Sequence, residues 1–310
     1  MLKLFSGTAN PTLSHEVSKL LKIPLARSQV LRFDNSEVKV TVKEKVKDAT
    51  CVVIQPTSNP TDTNLMELFF FTDALKRSGA KEIIAFIPYF GYSRQNREHL
   101  TGEAVSANVV IRFLETIGIK AVFTVDLHDE GTEGIFSITF KNLSAFNILG
   151  KEVAHYLKNN KNTEKVAIVS PDQGGVERAQ NFAEKFFHSR SVDIAVIEKR
   201  RSLNIAHQST ALNLYGKVRD KTCILVDDII TSGQTLVHAA EFCLKRGASR
   251  VLACVVHHDF SPYAKQTLSN SKIEKIFMSN SIALKSEEKF PQLKEVSIAP
   301  LLTSEIKNLL

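Results

Sequence analysis

The segment CILVDDIITSGQTL, residues 223–236, decides the fold class. Its four leading apolar residues are typical of a strand that is buried on both faces of a parallel sheet. Two carboxylates, Asp227 and Asp228, follow, and after a polar loop an amphipathic helix runs to the glycine at Gly247. Ligands of open α/β sheets bind beyond the carboxyl ends of the strands. The segment therefore predicts an α/β fold with a ligand site at Asp227 and Asp228.

The loop after the two carboxylates suits a phosphate. Backbone N–H groups at a helix N-terminus lack partners and carry partial positive charge, so they attract anions. Asp227 and Asp228 would repel a phosphate, but they accept hydrogen bonds from sugar hydroxyls or hold a cation. The pattern predicts a sugar phosphate, and the alternative is an ordinary capped turn beside a surface aspartate pair. The predicted phosphate loop consists of Thr231, Ser232, Gly233, Gln234 and Thr235.

The composition is that of a soluble globular protein, and its formal net charge of +7 favours anionic ligands only weakly. The chain has 310 residues, enough for two domains, with 43% hydrophobic and 24% charged residues. Lys and Arg number 40 against 33 Asp and Glu, but no basic helix or aromatic-basic array predicts binding of nucleic acid. No apolar run approaches the roughly 18 to 20 residues of a membrane span. Four cysteines without CxxC spacing indicate reduced thiols, so we expect a cytoplasmic protein without a membrane partner.

The two halves of the chain repeat one pattern. LKRSGAKEIIAFIP, residues 75–88, matches LKRGASRVLACVVH, residues 244–257, in its order of helix end, glycine, basic spacer and strand. Strands that alternate with helical segments predict parallel sheets. We expect two similar α/β domains, 1–145 and 146–310, each with a central, mostly parallel sheet flanked by helices. The first copy has Gln55 and a proline in place of the aspartate pair, so the halves should do different work.

Two more predicted strand ends of the second half carry groups suited to phosphates. SPDQGG, residues 170–175, offers a backbone anion nest at Gly174 and Gly175 and a Mg²⁺ ligand at Asp172, unless it is a plain tight turn.

EKRR, residues 198–201, follows another predicted strand. Lys199 and Arg201 can neutralise charge on a transferring phosphoryl group, unless the run is a solvated surface segment. The polar segment 202–208 that follows is a candidate lid.

The first half has two comparable strand ends. DLH, residues 126–128, places His128 where a histidine can contact a metal or a nucleotide phosphate, although a lone histidine is more often structural. PYFGYSRQNRE, residues 88–98, offers arginines for phosphates and three rings that can stack on a base, unless the loop packs on its own domain. The rings are Tyr89, Phe90 and Tyr92, and the arginines are Arg94 and Arg97.

From end to end the chain resembles the ribose-phosphate pyrophosphokinase family, whose members have two phosphoribosyltransferase-like domains. The resemblance implies transfer of the diphosphoryl group of ATP to the C1 hydroxyl of ribose 5-phosphate, which gives 5-phosphoribosyl 1-pyrophosphate and AMP with Mg²⁺ as cofactor. The strings that carry it are RFDNSEV (32–38), LMEL (65–68), DALKRSGAK (73–81), IPYFGYSRQNR (87–97), DLH (126–128), IVSPDQGG (168–175), EKRR (198–201) and ILVDDII (224–230).

The resemblance also implies a role for each matching residue. Lys199 and Arg201 would be the transition-state cations, with Arg201 also touching ribose 5-phosphate. The remaining roles fall into four groups: ribose 5-phosphate contacts at Asp227, Asp228 and residues 231–235; a pyrophosphate loop at Asp172, Gly174 and Gly175; Mg²⁺ ligands at His128 and Asp172; and ATP contacts at Arg94, Gln95, His128, Phe33, Asn35 and Glu37. The last three would reach in from a neighbouring subunit, so a dimer-based homo-oligomer or a hexamer is expected.

Departures from the family pattern concern the control of activity. Where the family often has a basic stretch with a second arginine, a proline and a lysine, this chain has Gly102, Ala104 and Asn108. Asn96 replaces a frequent aspartate, and the acidic stretch 129–133 replaces a glutamine-containing one. In the common class the missing cations are tied to activation by phosphate and inhibition by ADP. We therefore expect an active enzyme with weak or absent allosteric control by phosphate and ADP.

Two alternatives stay open at this point. A phosphoribosyltransferase would have one such domain and a base-binding hood, which the duplicated chain and the Arg94–Gln95 pair argue against. A non-catalytic regulatory paralogue of the synthase would have lost His128, Lys199 or an aspartate, all of which are present. The altered stretch 98–108 is what keeps the second alternative open.

Overall fold

The computed structural model describes residues 1–98, 100–160, 165–189, 192–201 and 209–310, without the side chains of residues 199–201 and 209–212. The chain divides into two compact units. The first contains Met1–Ser144, Ser281–Ala283 and Ser297–Leu310, and the second contains Ala145–Asn280 and Leu284–Val296. The sequence had assigned all of 146–310 to the second domain, whereas the segment from Ser297 groups with the first unit.

The described part of the first unit is built on a five-stranded parallel sheet. In spatial order its strands are β1 (Leu2–Ser6), β4 (Thr50–Ile54), β5 (Glu82–Ile87), β6 (Ala121–Val125) and β7 (Thr139–Leu143). An antiparallel hairpin of β2 (Ser28–Arg32) and β3 (Val38–Val42) forms a separate sheet. The helices are α1 (Pro11–Leu21), α2 (Thr61–Arg77), α3 (Ser106–Ile117) and α8 (Ala299–Lys307).

The described part of the second unit carries a seven-stranded sheet that is parallel apart from one edge pair. In spatial order its strands are β10 (Ser209–Tyr215), β9 (Ala195–Arg201), β8 (Lys165–Ser170), β11 (Lys221–Ile230), β12 (Arg250–His258), β13 (Lys275–Ser279) and β14 (Leu293–Val296). The helices are α4 (Phe146–Asn159), α5 (Val176–Phe187), α6 (Gln234–Lys245) and α7 (Ala264–Ser269).

The two sheets repeat one topology. The parallel order β1-β4-β5-β6-β7 corresponds to β8-β11-β12-β13-β14. In each half, a hairpin lies in the sequence between the first and the second of these strands; it is β2–β3 in the first half and β9–β10 in the second. The repeat at 75–88 and 244–257 is thus the helix end and third strand of each copy, and the predicted architecture of two similar α/β domains is confirmed.

Burial explains why the apolar runs became central strands. All five residues of β6 are buried, as are Cys51–Ile54 of β4 and Cys223–Val226 of β11. Strands covered on both faces need apolar side chains in consecutive positions. Within the described ranges, no helix is long and apolar enough to cross a membrane.

Candidate active site

The two aspartates lie inside strand β11 and not beyond its end. The strand continues to Ile230, and Asp227 is paired with Val255 of β12. Pairing with β8 on the other side stops at Leu225, which is opposite Val169. The sequence suggested a strand end at Val226 because charges follow the apolar run. The ladder with β12 carries the strand on, so both carboxylates are held by rigid backbone.

An arginine that sequence reasoning missed neutralises part of this charge. Arg178 of α5 places Nη1 3.2 Å from Oδ1 of Asp227 and 3.2 Å from Oδ1 of Asp228. The Asp228 side chain is only 5% exposed. One cation therefore faces two carboxylates in a poorly hydrated place. The available signal was an arginine three residues after Gly175, on the half-buried face of an amphipathic helix.

The charge balance makes this site receptive to cations and hydroxyl groups. Burial, followed by the negative charge of Asp228, raises the pKa of the Asp227 carboxyl well above its usual value, although the Arg178 guanidinium opposes the shift. Asp172 adds to the rise in pKa, so its charge also reaches Asp227. A group that donates hydrogen bonds or carries positive charge is stabilised where carboxylates are in excess.

The turn after β8 is organised by Asp172. Its Oδ1 accepts from the Gly175 amide at 3.1 Å, and Ser170 Oγ donates to the Asp172 carbonyl at 2.6 Å. A Cβ at Gly175 would lie 2.9 Å from Ser170 Oγ. Since Gly175 has a φ of −92°, glycine is needed there for close approach. Gly174, beside it, is exposed.

The predicted phosphate loop is held by its glycine. Gly233 has a φ of +79°, and a Cβ there would lie 2.6 Å from Leu268 Cγ of α7. Ser261 N donates to the Thr231 carbonyl at 3.1 Å, which fixes the start of the loop. The N-cap residue of α6 is Gly233, which has no side chain to accept hydrogen bonds from the first amides of the helix. Its first amides are thereby suited to an anionic ligand.

Ser232, Gln234 and Thr235 are the exposed residues of this loop. The Gln234 amide donates to Ser232 Oγ at 3.4 Å. The structure thus brings all five predicted phosphate-loop residues together at the end of β11 and the start of α6.

The predicted transition-state cations lie on strand β9. In the register, Lys199 is opposite Ala211 of β10, and Arg201 is opposite Ser209. The sequence predicted that both residues follow a strand, whereas in the structure they are among the last residues of strand β9. Their side chains and the candidate lid 202–208 lie outside the described residues, so both roles stay predictions.

In the first unit, the loop after β5 presents Arg94 and Gln95 at the surface. Gln95 N donates to the Tyr92 carbonyl at 2.8 Å, and Ser106 Oγ of α3 donates to Gln95 Oε1 at 2.7 Å. Tyr92 has a φ of +65°, and its hydroxyl donates to Asp62. The turn that exposes Arg94 is therefore tied to α2 and α3.

Two of the rings predicted to stack on a base belong to the core instead. Tyr89 is 7% exposed and Phe90 is 3% exposed. Phe90 packs edge-on against Phe136, with the ring centroids 6.1 Å apart. Gly91 follows them, and a Cβ on it would meet the Thr57 carbonyl at 2.3 Å. The alternative that the loop packs on its own domain is correct for these two rings.

His128 is exposed on the loop after β6. The backbone before it is held by β7, since Asp126 N donates to the Leu143 carbonyl at 2.7 Å and Leu127 N donates to Asn142 Oδ1 at 2.9 Å. The side chain is thus presented to solvent from a rigid support.

The hairpin tip carries Phe33, Asn35 and Glu37, all exposed. Phe33 is 49% exposed, and Asn35 Oδ1 accepts from the Glu37 amide at 3.2 Å, so Asn35 shapes the turn itself. Below the tip, Arg32 pairs with the fully buried Glu67 of α2 at 3.1 Å. Glu67 is a second residue that sequence reasoning missed, although it lies within the LMEL string.

Comparison with known proteins decides the family. Residues 2–118 match the model of the N-terminal domain of ribose phosphate pyrophosphokinase, and residues 139–288 match the phosphoribosyl transferase domain. The ribose-phosphate pyrophosphokinase of Bacillus subtilis (strain 168) is 38% identical over 306 residues, 98% of this chain and 93% of its own length. The chain belongs to the ribose-phosphate pyrophosphokinase family.

Other members of the ribose-phosphate pyrophosphokinase family agree along the whole chain. The protein of that name from Thermosipho africanus (strain TCF52B) is 41% identical over 308 residues, 98% of this chain and 93% of its own length. A crystal structure of phosphoribosylpyrophosphate synthetase from Mycobacterium smegmatis has a TM-score of 0.89 at 32% identity and covers 99% of this chain and 98% of that chain. The fold predicted from the family resemblance is confirmed.

The residues present fit a metal that arrives with a nucleotide. Among the described residues, no three His, Cys, Asp or Glu side chains form a group that could hold a metal ion. Mg²⁺ in phosphoryl-transfer sites keeps several waters and uses one or two carboxylates with the substrate phosphates. Asp172 fits the role of such a carboxylate ligand. It adds negative charge next to Asp227, and the oxygen that it uses in its own turn is Oδ1.

Proposed function

We propose that this chain is a ribose-phosphate diphosphokinase. It transfers the diphosphoryl group of ATP to the C1 hydroxyl of ribose 5-phosphate and releases AMP. The observation that carries the proposal is that Asp227 and Asp228 are followed by the loop 231–235 and a helix whose N-cap residue is a glycine, in a chain of this family. The carboxylates suit the ribose hydroxyls and the amides suit the phosphate, so one element binds both ends of the sugar.

The reaction requires alignment more than covalent chemistry. The C1 oxygen attacks the β-phosphorus, the bond from that phosphorus to the oxygen bridging to the α-phosphate breaks, and AMP leaves with the bond electrons while the hydroxyl proton goes to solvent. Holding the two reactants in line supplies much of the rate. Asp227 and Asp228 orient the ribose from a rigid strand, and Arg178 holds both carboxylates in place.

Cationic side chains balance the negative charge of the phosphates. Lys199 and Arg201 stabilise the charge that develops on the transferring group, and Arg94 and Gln95 bind the ATP phosphates from exposed positions. Asp172 and His128 are each proposed as a ligand of Mg²⁺, which would neutralise phosphate charge. ATP, ribose 5-phosphate and Mg²⁺ are thus the proposed ligands.

The exposed hairpin tip supports a proposed homo-oligomer. About half of the Phe33 surface is exposed to solvent, and such a ring is suited to cover the adenine of a nucleotide that is bound by a neighbouring subunit. A cytoplasmic location stays a prediction from the four cysteines, all of which are buried and outside any disulfide.

The deciding experiment detects the products by mass spectrometry. Purified protein is incubated with ATP, Mg²⁺ and ribose 5-phosphate and without a nucleobase. Equimolar AMP and diphosphorylated ribose support the proposal. A protein that binds both substrates in calorimetry and releases neither product would be the regulatory paralogue, and ADP in place of AMP would indicate transfer of a single phosphoryl group.

A further inference from the structure

A side-chain hydrogen bond joins the two loops of the first unit that carry predicted ATP contacts. Asn96 Nδ2 donates to Asp129 Oδ2 at 2.7 Å. Asn96 directly follows Gln95, and Asp129 directly follows His128. The loops leave the carboxyl ends of β5 and β6, which are neighbours in the sheet. Both partners are half-buried, so the bond is partly protected from water.

Asp129 is held on both of its oxygens. Oδ1 accepts from the Gly131 amide at 2.8 Å and caps the 3₁₀ helix Glu130–Ile135. Oδ2 receives the Asn96 amide. A carboxylate whose two oxygens both accept hydrogen bonds favours a hydrogen-bond donor as its partner. A second carboxylate in place of Asn96 would be repelled by Asp129 at this distance.

Each loop also has its own anchor, and the bond adds a polar connection between the loops beside the ring contact of Phe90 with Phe136. Ser106 holds Gln95, and Asn142 holds the backbone before His128. These contacts fix each loop to its own neighbour. Asn96 and Asp129 instead connect one loop to the other. The two departures from the family pattern at these positions are therefore in direct contact.

Resting on the proposed function, we propose that Asn96 and Asp129 are positioning residues for ATP. Their bond sets the separation of Arg94 and Gln95 from His128, so the chain's affinity for the nucleotide depends on a donor at position 96 facing an acceptor at position 129. As positioning residues they act through Arg94, Gln95 and His128 and not on the reacting atoms themselves. Their exchange should therefore preserve function, whereas two carboxylates in contact should not.

The test is a charge exchange. In Asn96→Asp, two carboxylates face each other, and we expect the Kd for ATP to rise about 10- to 100-fold, the range that a lost charged hydrogen bond implies. In the double variant Asn96→Asp/Asp129→Asn, the amide introduced at 129 donates to the carboxylate introduced at 96 and still caps Gly131 with its oxygen. We expect its Kd to return to within about threefold of wild type.

The readout is ATP affinity by isothermal titration calorimetry of the full chain, with Kd for ribose 5-phosphate measured alongside. Asn270→Asp is the matched control, because it adds the same charge at an exposed position of the second unit. We expect it to leave both affinities unchanged. Asn96→Ala, which removes the donor without adding charge, serves if Asn96→Asp fails to fold, and we expect it to weaken ATP binding by about threefold or more.

Two results would overturn the proposal. One is a double variant that binds ATP no better than Asn96→Asp alone. The other is an equal loss of affinity for both substrates, which a general loss of structure would produce. Failure of the proposed function would be seen separately. The variants would then show the expected differences in Kd for ATP, but the wild-type protein would form no AMP.

Discussion

Gly233→Ala probes the phosphate loop at its most constrained residue. Gly233 combines a φ of +79° with a contact in which an added Cβ would lie 2.6 Å from Leu268 Cγ and 2.7 Å from Leu268 Cδ2. A side chain at this position is strained twice, by the left-handed backbone and by the fully buried leucine of α7. Either Leu268 moves or the loop before α6 shifts. A shift would displace the amides that are proposed to face the phosphate.

The cost follows from two contributions. Left-handed backbone costs an alanine about 1–2 kcal/mol, and overpacking a filled core costs about 1–3 kcal/mol. The sum of about 2–5 kcal/mol corresponds to a fall in Tm of roughly 4–20 °C for a unit of this size. Because small displacements in a positioned site reduce rates strongly, KM for ribose 5-phosphate should rise about tenfold or more.

The assay separates the two contributions. Gly247→Ala, in the same unit, has a φ of +90° but meets only the exposed Arg219 side chain at 3.3 Å, so it reports backbone strain with little overpacking. It should cost about 1–2 kcal/mol and leave KM unchanged. Leu268→Ala alone should cost about 2–5 kcal/mol. Combined with Gly233→Ala it removes the clashing atoms, so the double variant should be about 1–3 kcal/mol more stable than the sum of the single costs.

Strict additivity of the two costs in denaturant unfolding would refute the overpacking argument. An unchanged KM for ribose 5-phosphate in Gly233→Ala would refute the assignment of the loop to the phosphate.

Three further predictions concern the acids, the cations and the control of the reaction. Asp227→Asn should bind ribose 5-phosphate poorly and yet raise Tm near pH 7. The raised pKa means that ionising Asp227 opposes folding as pH climbs above the ordinary carboxyl value of about 4, so the gain should fade on acidification, and a pH-independent gain in thermal melts would contradict this. Lys199→Ala should lower kcat about 10²–10³-fold in steady-state assays with less change in ribose 5-phosphate affinity, and an unchanged kcat would remove Lys199 from its role. Initial rates should differ little with and without millimolar phosphate, since Gly102, Ala104 and Asn108 supply no cations, and strong activation would refute this expectation.

Local sequence patterns determined the central strands of both sheets, the repeat and the family. Apolar runs predicted the buried strands, glycines predicted helix ends, and the repeat predicted two copies of one topology. These features depend on periodicity and backbone preference within a few residues, which one chain segment carries by itself. The loop at residues 231–235 was predictable for the same reason, because its residues are contiguous.

Tertiary structure alone decided which distant side chains meet. Arg178 lies 49 residues before Asp227, and Asn96 lies 33 residues before Asp129. Neither pair has a signal in the spacing of the sequence, because the contacts arise from strand order and from how α5 packs on its sheet. Tertiary contacts also decided that the charged end of β11 is a strand. Its pairing with β12 and the nearby guanidinium outweigh the local preference of two aspartates for a loop.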